Sequence, residues 1–284
     1  MKKIVMILIF IVITAALQAG DWNTAADISI TMNQNAYSDN WTGEEKGSIS
    51  WVFNANFLAE KQLTAKIHNK NTLKLAFGQT HNQMLDEEGK KYWAKPEKST
   101  DLIDFETIFR FTLGAFVDPF ISFRDEAQFL DESGMETKIF NPNVTTETFG
   151  IAKVFVKDDS QELSTRIGAA FKQYFDSNLD DNTNDGGVEF VGIYVKPFKE
   201  GMIKYSTNLN LYKPIVYSES EDLEGTEFED AWKQVRMDWQ HDVDISLTSL
   251  INLKLYVQML YNELVIDEVQ YKQTLGLGIN YKLF

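Results

Sequence analysis

The last sixteen residues of the chain, VQYKQTLGLGINYKLF (residues 269–284), alternate between two kinds of side chain. Odd-numbered positions from Val269 to Leu283 are apolar or aromatic apart from Gln273, and even-numbered positions as far as Lys282 are small, polar or basic. Because successive side chains of a β-strand point to opposite faces, this pattern predicts a strand with one apolar and one hydrophilic face.

The same two-residue period recurs along the chain and predicts an all-β protein. Aromatic residues make up 13% of the sequence, and 20 of them are Phe, which suits strands that need an apolar face. The predicted strands cover residues 23–34, 47–60, 63–81, 101–116, 118–130, 144–157, 161–176, 187–197, 200–212, 229–245, 248–263 and 267–284.

The connections between these strands alternate in length. Bacterial outer-membrane barrels have an even strand number, short periplasmic turns and longer outer loops, whereas a soluble β-sandwich has no reason to sort its loops. We therefore predict a closed antiparallel transmembrane β-barrel of about twelve strands. Short connections lie near residues 60–62, 117–119, 158–160, 199–201 and 246–248, and long ones cover 35–46, 82–100, 131–143, 177–186 and 213–228.

The N-terminus has the features of a secretory signal peptide. Lys2 and Lys3 precede an unbroken apolar run over 4–13, which is too short to span a bilayer as a helix. Leu17-Gln18-Ala19 offers a cleavage site, so we predict a signal peptide over 1–19 and the barrel over 20–284. The predicted location is the outer membrane of a Gram-negative bacterium, after Sec export.

Charge and composition limit the partners. The formal net charge is −15, and removal of Lys2 and Lys3 with the signal takes it to −17, which argues against a nucleic-acid partner. The absence of cysteine excludes disulfides and thiolate metal sites. We expect no cofactor. The expected partners are outer-membrane lipid, the barrel assembly machinery and either a small solute or divalent cations at the acidic outer loops.

Charged residues of both signs fall on the parity that should face the barrel interior. Such residues tune the selectivity of a pore, or they brace a filled interior as ion pairs. About eight strands leave an interior that side chains just fill and about sixteen leave a channel, so twelve strands permit either outcome. The lumen and constriction candidates are Glu106, Arg110, Arg124, Glu126, Arg166, Lys172, Arg236, Asp238 and Lys254.

One long loop partly resembles a calcium-binding loop. Asp181, Asp185 and Glu189 are its candidate ligands, with Gly186 at the position of the sharp turn. Thr183 and Gly192 stand where the EF-hand pattern has oxygen ligands, and no helices flank the segment. An Asn/Asp/Gly turn between two strands explains the same residues, so we predict no specific metal site.

Aromatic residues cluster at outer strand ends and in outer loops. They are expected to form the interfacial girdle that a membrane barrel needs, and a stacking platform for sugars is the alternative. At the C-terminus, Tyr281 and Phe284 resemble the terminal aromatic signal for barrel assembly, although Phe284 lies on the polar parity of its strand. The girdle candidates are Trp41, Tyr92, Trp93, Tyr212, Tyr217 and Trp232.

Several short segments resemble a family of uncharacterised outer-membrane barrels of Bacteroidetes- and Chlorobi-type bacteria, which is defined only as a domain of unknown function. They are NWTGE at 40–44, the segment 73–78 and Asp118-Pro119-Phe120, with Glu44 in place of a second glycine. The resemblance implies the barrel fold and the outer membrane, and it brings no catalytic residues.

Three functions are compatible with this sequence. The leading interpretation is porin-like passage or binding of a small solute, with Arg110, Arg124, Arg166 and Arg236 at the constriction. The first alternative is a non-conducting structural or surface-binding barrel with acidic outer loops. The second is a surface lipid or peptide hydrolase, in which His81 and Asp86 would act with a loop serine. No nucleophile-elbow or zinc-protease motif supports that chemistry.

Overall fold

The computed structural model describes residues 22–38, 45–158, 160–179 and 182–282. Within them, the chain forms thirteen strands. Twelve close into an antiparallel barrel, which confirms the predicted fold class, and the fourth in sequence is a short strand outside the ring. The strands are β1 (Asn23–Asn35), β2 (Ser48–Thr64), β3 (Ile67–Leu85), β4 (Lys91–Trp93), β5 (Glu97–Phe111), β6 (Asp118–Ala127), β7 (Asn143–Asp158), β8 (Gln161–Phe175), β9 (Thr183–Phe198), β10 (Ile203–Tyr217), β11 (Arg236–Ser246), β12 (Ile251–Asn262) and β13 (Ile266–Lys282).

The barrel closes where its first and last strands pair. Ile30 on β1 lies opposite Ile279 on β13, and the other edge of the β1 backbone pairs with β2. Every other barrel strand pairs with its neighbours in sequence, except that β3 bypasses the short β4 and pairs with β5. Closure removes the exposed edge of the barrel, so each of the twelve barrel strands has two partners for its backbone hydrogen bonds.

The observed strands differ from the predicted ones chiefly in and beside the long connections. The predicted outer loop over 82–100 contains β4, which pairs with the end of β3 where Gln83 faces Trp93. A strand was expected from residue 229, but a single 3₁₀ turn at Ala231–Lys233 occupies this region and β11 begins at Arg236. Pairing across the sheet, rather than local alternation, decides these boundaries.

Connections of two lengths sort to the two ends of the barrel. The short ones, 65–66, 112–117, 159–160, 199–202 and 247–250, lie at the same end as the start of β1 and the end of β13. We call this the short-turn end and the opposite one the long-loop end. The long-loop end carries the connections 36–47, 86–96, 128–142, 176–182 and 218–235, together with the short 263–265.

Strand alternation gives the barrel an apolar exterior. Large apolar side chains are exposed on strand after strand, as at Phe149, which is 68% exposed. Such a continuous surface is unusual on a soluble protein and suits contact with hydrocarbon. No helix within the described residues has the length and apolar character to cross a membrane. The exposed set includes Ile30, Ile121, Ile151, Ile167, Leu275, Leu277 and Ile279.

At the long-loop end, Asp131 joins two outer connections. Its Oδ1 accepts a hydrogen bond from the backbone N–H of Ser133 over 2.9 Å. Its Oδ2 accepts bonds from Nδ2 of Asn141 and Nδ2 of Asn178, each over 2.6 Å. Asn178 belongs to the connection between β8 and β9, so Asp131 holds that connection against the one between β6 and β7.

The pKa of Asp131 should report this loop contact. Hydrogen bonds from Ser133, and then from Asn141 and Asn178, lower the pKa of Asp131 from 3.8 to about 2. The folded pKa lies below the unfolded one, so the loop stabilisation is fully present above pH 3.8 and is lost as the pH falls towards 2. We expect the ¹³C resonance of the carboxyl to titrate near pH 2. Asn178→Ala should move the midpoint upwards, and an unchanged midpoint would contradict the contact.

A charge placed on the apolar exterior should destabilise the barrel according to its depth. Phe149→Arg, in the middle of β7, should lower the free energy of unfolding by about 2–4 kcal/mol, because Arg at mid-bilayer loses its hydration. Leu247→Arg, in a short turn, should cost about 0–1 kcal/mol. Urea unfolding in lipid vesicles measures both. Equal losses would mean that the exterior does not face hydrocarbon.

Candidate functional site

The barrel interior brings together the charged residues that alternation places on the inner face. Asp27, Asn56, Lys74, Asp104 and Glu126 stand side by side on adjacent strands, because each is directly paired with the next across the sheet. Residues paired in this way share a face, so the row identifies the inner face of five strands.

Arg124 on β6 lies between two carboxylates. Its Nε donates a hydrogen bond to Asp104 Oδ1 over 2.8 Å, and its Nη2 donates to Asp104 Oδ2 over 3.0 Å. Glu126 Oε1 lies 2.9 Å from the same Nη2, and Lys74 Nζ lies 3.9 Å from Asp104 Oδ2. Bidentate pairing of a guanidinium with a carboxylate fixes both groups and neutralises their charge.

A second ion pair crosses part of the lumen. Arg166 on β8 bonds through Nη2 to Oε1 of Glu106 on β5. The strands β6 and β7 lie between β5 and β8 in the sheet, so the two side chains meet through the interior. We call Lys74, Asp104, Glu106, Arg124, Glu126 and Arg166 the ion-pair cluster.

Nearby, two glycines allow close packing of the wall. Gly150 on β7 is directly opposite Gly168 on β8, and both belong to the same row as Phe120. A Cβ on Gly150 would lie 2.1 Å from the carbonyl oxygen of Ile167, so no larger residue fits there. The Phe120 ring is 1% exposed beside these glycines, with the Arg166 guanidinium 5.9 Å from its centre.

A third group surrounds Asp185 on β9, whose side chain is fully buried. Arg236 Nη1 donates to Asp185 Oδ2 over 2.6 Å, and the Tyr174 hydroxyl donates to the same oxygen over 3.1 Å. The Tyr212 hydroxyl donates to Asp185 Oδ1, and Lys172 Nζ lies 4.2 Å from the centre of the Tyr212 ring. We call these residues the Asp185 cluster.

The remaining lumen candidates also make contacts on the inner face. Asp238 accepts hydrogen bonds from Nε2 of Gln240 and of Gln258, over 2.7 and 2.9 Å. Lys254 Nζ lies 3.6 Å from Asp244 Oδ2, and Arg110 Nε lies 3.6 Å from Asp118 Oδ2. The structure thus places all nine lumen candidates on the inner face, while their role as a constriction stays a prediction.

The two calcium-loop candidates within the described residues, Asp185 and Glu189, bind other side chains of the barrel. Asp181 lies outside the described residues, and Asp185 binds Arg236 and two tyrosines inside the barrel. Glu189 accepts bonds from Thr148 Oγ1 over 3.1 Å and from Asn210 Nδ2 over 2.9 Å. Across the described ranges, no group of three or more His, Cys, Asp or Glu side chains has a metal-binding arrangement. Asp185 and Glu189 are both interior residues of β9, although Asp185 falls in the predicted loop 177–186 and Glu189 in the predicted strand 187–197.

Two of the girdle assignments are wrong. Tyr212 is 1% exposed and lies inside the barrel, opposite Glu189 and Arg236, because β10 continues past it to Tyr217. Trp232 is 8% exposed within the connection between β10 and β11, with its ring centre 6.0 Å from that of Tyr217.

Of the other aromatic candidates, Tyr217 is half-buried at the end of β10, and the rest are exposed or lie outside the described part of the chain. Tyr92 and Trp93 are on β4, about half exposed. Tyr281 is exposed on β13, opposite Ile28. Trp41 and Phe284 lie outside the described residues, so the girdle and the assembly signal stay predictions at those positions.

The hydrolase pair is not assembled in the described residues. Asp86 Oδ1 accepts hydrogen bonds from the backbone N–H groups of Glu88 and Lys90, over 3.0 and 2.8 Å, and so closes its own turn. His81 lies on β3 opposite Ile49, on the face that carries Phe77 and Leu75. The geometry does not direct Asp86 towards His81, which leaves the hydrolase hypothesis without a base–orienter pair.

Comparison with known families gives one match. Residues 32–132, or 101 of the 284 residues, match the model of a family described as "Protein of unknown function (DUF3078)". This agrees with the predicted resemblance to an uncharacterised family, and the bacterial group stays a prediction. No curated protein matches the chain.

Among solved structures, the chain is similar to several barrels. An outer membrane channel from Pseudomonas putida F1 has 12% identity and a TM-score of 0.41, with 91% of this chain and 94% of that chain covered. The β-domain of the Bordetella autotransporter BrkA has 10% identity and a TM-score of 0.35, with 92% and 98% covered. The transport unit of the Escherichia coli autotransporter AIDA-I has 8% identity and a TM-score of 0.34, with 91% and 89% covered. Similarity at this level says nothing about solute or partner.

The Arg166–Glu106 pair should be strongly coupled. Arg166→Met leaves an uncompensated buried carboxylate, so it should lower the free energy of unfolding by about 3–5 kcal/mol. The double variant Arg166→Met with Glu106→Gln should recover most of that loss. Urea unfolding in lipid vesicles of the unmodified protein, the two single variants and the double variant measures the coupling free energy of the pair.

An exposed pair provides the control. Lys95 Nζ lies 3.8 Å from Glu132 Oε1, with the lysine side chain 87% exposed. Lys95→Met should therefore cost only about 0–1 kcal/mol. Independent, additive losses at positions 106 and 166 would show that the two side chains do not pair.

Proposed function

We propose that the protein is an outer-membrane channel for small polar solutes. The support for the membrane is the exterior, where apolar side chains follow one another around a closed ring of twelve strands. Only structures that pair all backbone groups internally are viable in hydrocarbon, and a closed barrel is one of them. Short turns at one end and longer loops at the other suit a periplasmic and an outer side.

The observation that carries the channel is the position of Asn56. It lies on the inner face of β2, between Asp27 and Lys74, and yet it is exposed to solvent. The Lys74 side chain beside it is 43% exposed. Water therefore reaches the inner wall at Asn56 on β2 and at Lys74 on β3, although the rest of the ion-pair cluster fills the space further round the barrel.

The interior is asymmetric in a way that favours a narrow path. Apart from Lys74 on β3, the residues of the ion-pair cluster and the Asp185 cluster lie on strands from β5 to β11, where long side chains bind one another. The facing wall of β13 and β1 carries Gly276, Gly278, Ser29 and Thr31 on its inner face. A solute would pass beside the paired charges, which would act on it through their electrostatic field.

A non-conducting barrel is the second candidate, and the cross-lumen contacts favour it. Lys157 on β7 reaches Glu60 on β2 at the short-turn end, with Nζ 3.1 Å from Oε1. Lys272 on β13 reaches Thr100 on β5 towards the long-loop end, with Nζ 3.3 Å from Oγ1. If these contacts hold both mouths shut, the function would lie in the outer loops instead.

Conductance distinguishes the two candidates. Refolded protein in planar bilayers should give discrete conductance steps, because Asn56 borders a water-accessible path. Asn56→Trp should lower the step size by about twofold or more, since an indole would occupy part of a narrow lumen. The expected result therefore tests both the existence of the path and its course along β2.

The adjacent residue supplies the matched control. Phe57→Trp places the same side chain on the outer face of the same strand, where it should leave the step size unchanged. An absence of steps from protein shown to be folded would exclude the channel and favour the non-conducting barrel. Equal effects of the two variants would place the path elsewhere.

A further inference from the structure

A cavity of about 90 Å³ lies inside the barrel at the short-turn end. Its charged lining is mainly cationic and comes from five strands, β2, β3, β5, β7 and β8. Arg110 on β5, Arg166 on β8, Lys70 on β3 and Lys157 on β7 surround it, and Glu60 and Glu162 are the carboxylates among its lining residues. We propose that this cavity binds a small organic anion, a short-chain carboxylate with an apolar tail.

Two arginines that line the cavity, Arg110 and Arg166, have N–H groups without a hydrogen-bond acceptor in the described part of the chain. Arg110 Nε and Arg166 Nε are both buried without a hydrogen-bond partner among the described residues. Arg166 pairs with Glu106 through Nη2, and Arg110 has Asp118 at 3.6 Å, which is too long for a hydrogen bond. An unsatisfied buried N–H costs free energy, and a ligand that accepts from it would remove that cost.

A carboxylate of the protein already shows how this environment holds such a group. Glu60 Oε1 accepts hydrogen bonds from Lys157 Nζ over 3.1 Å and from Asn23 Nδ2 over 3.0 Å. His68 Nε2 lies 3.8 Å from Glu60 Oε2. Lys157 therefore faces a carboxylate from β2, and a solute carboxylate arriving at the cavity would meet the same kind of donor.

The other lining residues set the character of the ligand. Ile108, Phe120, Val191 and Ile193 contribute apolar surface to the same cavity. The volume has room for about six water-sized positions, which matches a compact ligand with few heavy atoms. A carboxylate bound at the guanidinium groups would place a short hydrocarbon tail against this surface, whereas inorganic phosphate would leave it uncovered.

This site goes beyond the proposed passage of solutes and does not depend on it. The cavity lies in the barrel interior, but binding in it needs no continuous path to the long-loop end. A conducting barrel without the site and a non-conducting barrel with it are distinguishable, because binding is measured in detergent micelles and conductance in bilayers.

The test compares butyrate with butyramide, its uncharged analogue of nearly equal shape. Saturation-transfer-difference NMR with the refolded full chain should show saturable butyrate binding and at least about tenfold weaker binding of butyramide, because only the carboxylate forms charge-assisted hydrogen bonds. Arg110→Gln should weaken butyrate binding by about tenfold or more for the same reason. Lys70→Gln should weaken it in the same direction.

Lys66→Gln is the matched control. Lys66 lies in the short turn at the same end of the barrel, exposed and outside the cavity, so butyrate affinity should not change. Slower migration after heating in SDS would establish that each variant is folded. Equal binding of butyrate and butyramide, or unchanged butyrate affinity in folded Arg110→Gln, would overturn the proposal. If Arg110→Gln does not fold, Lys70→Gln and the butyramide comparison decide the same question.

Discussion

The structure depends on the pairing of backbone groups around a closed ring of strands. Hydrocarbon offers no hydrogen-bond partners, so an open sheet edge there would leave a row of unpaired N–H and C=O groups. Pairing of β1 with β13, where Ile30 lies opposite Ile279, removes that edge. Closure also assigns one face of every strand to the exterior and the other to the interior, and this division governs the position of each charged side chain.

Inside the ring, charge is distributed mainly as ion pairs. Arg124 binds Asp104 and Glu126, Arg166 binds Glu106, and Arg236 binds Asp185. A buried charge without a partner is costly, so an interior of this kind holds both signs in contact. The pairs concentrate on one side of the barrel, and the small residues of β13 and β1 face them. The ion-pair cluster and the Asp185 cluster lie mainly on one wall, and Asn56 on the inner face of β2 remains exposed.

Alternation in the sequence was sufficient to place the nine lumen candidates on the inner face, because parity is preserved along a regular strand. It failed where strand ends or long-range packing decide position. Tyr212 was treated as a strand-end residue, but β10 continues to Tyr217 through an irregular register at Pro214 and Val216. Asp185 was assigned to a loop, but β9 extends back to Thr183 and makes it an interior residue. Asp104 shares the parity of Glu106 and could have been included on that signal.

The sequence by itself determined the all-β class, the number of barrel strands and the division of each strand into an apolar and a polar face. These properties follow from a local two-residue period and from turn lengths, which are visible without knowledge of neighbours. Only the tertiary structure decided which charges meet. Arg166 and Glu106 are 60 positions apart, and Lys157 and Glu60 are 97 apart. Their contact depends on the register and curvature of the intervening strands, and the cationic cavity at the short-turn end exists for the same reason.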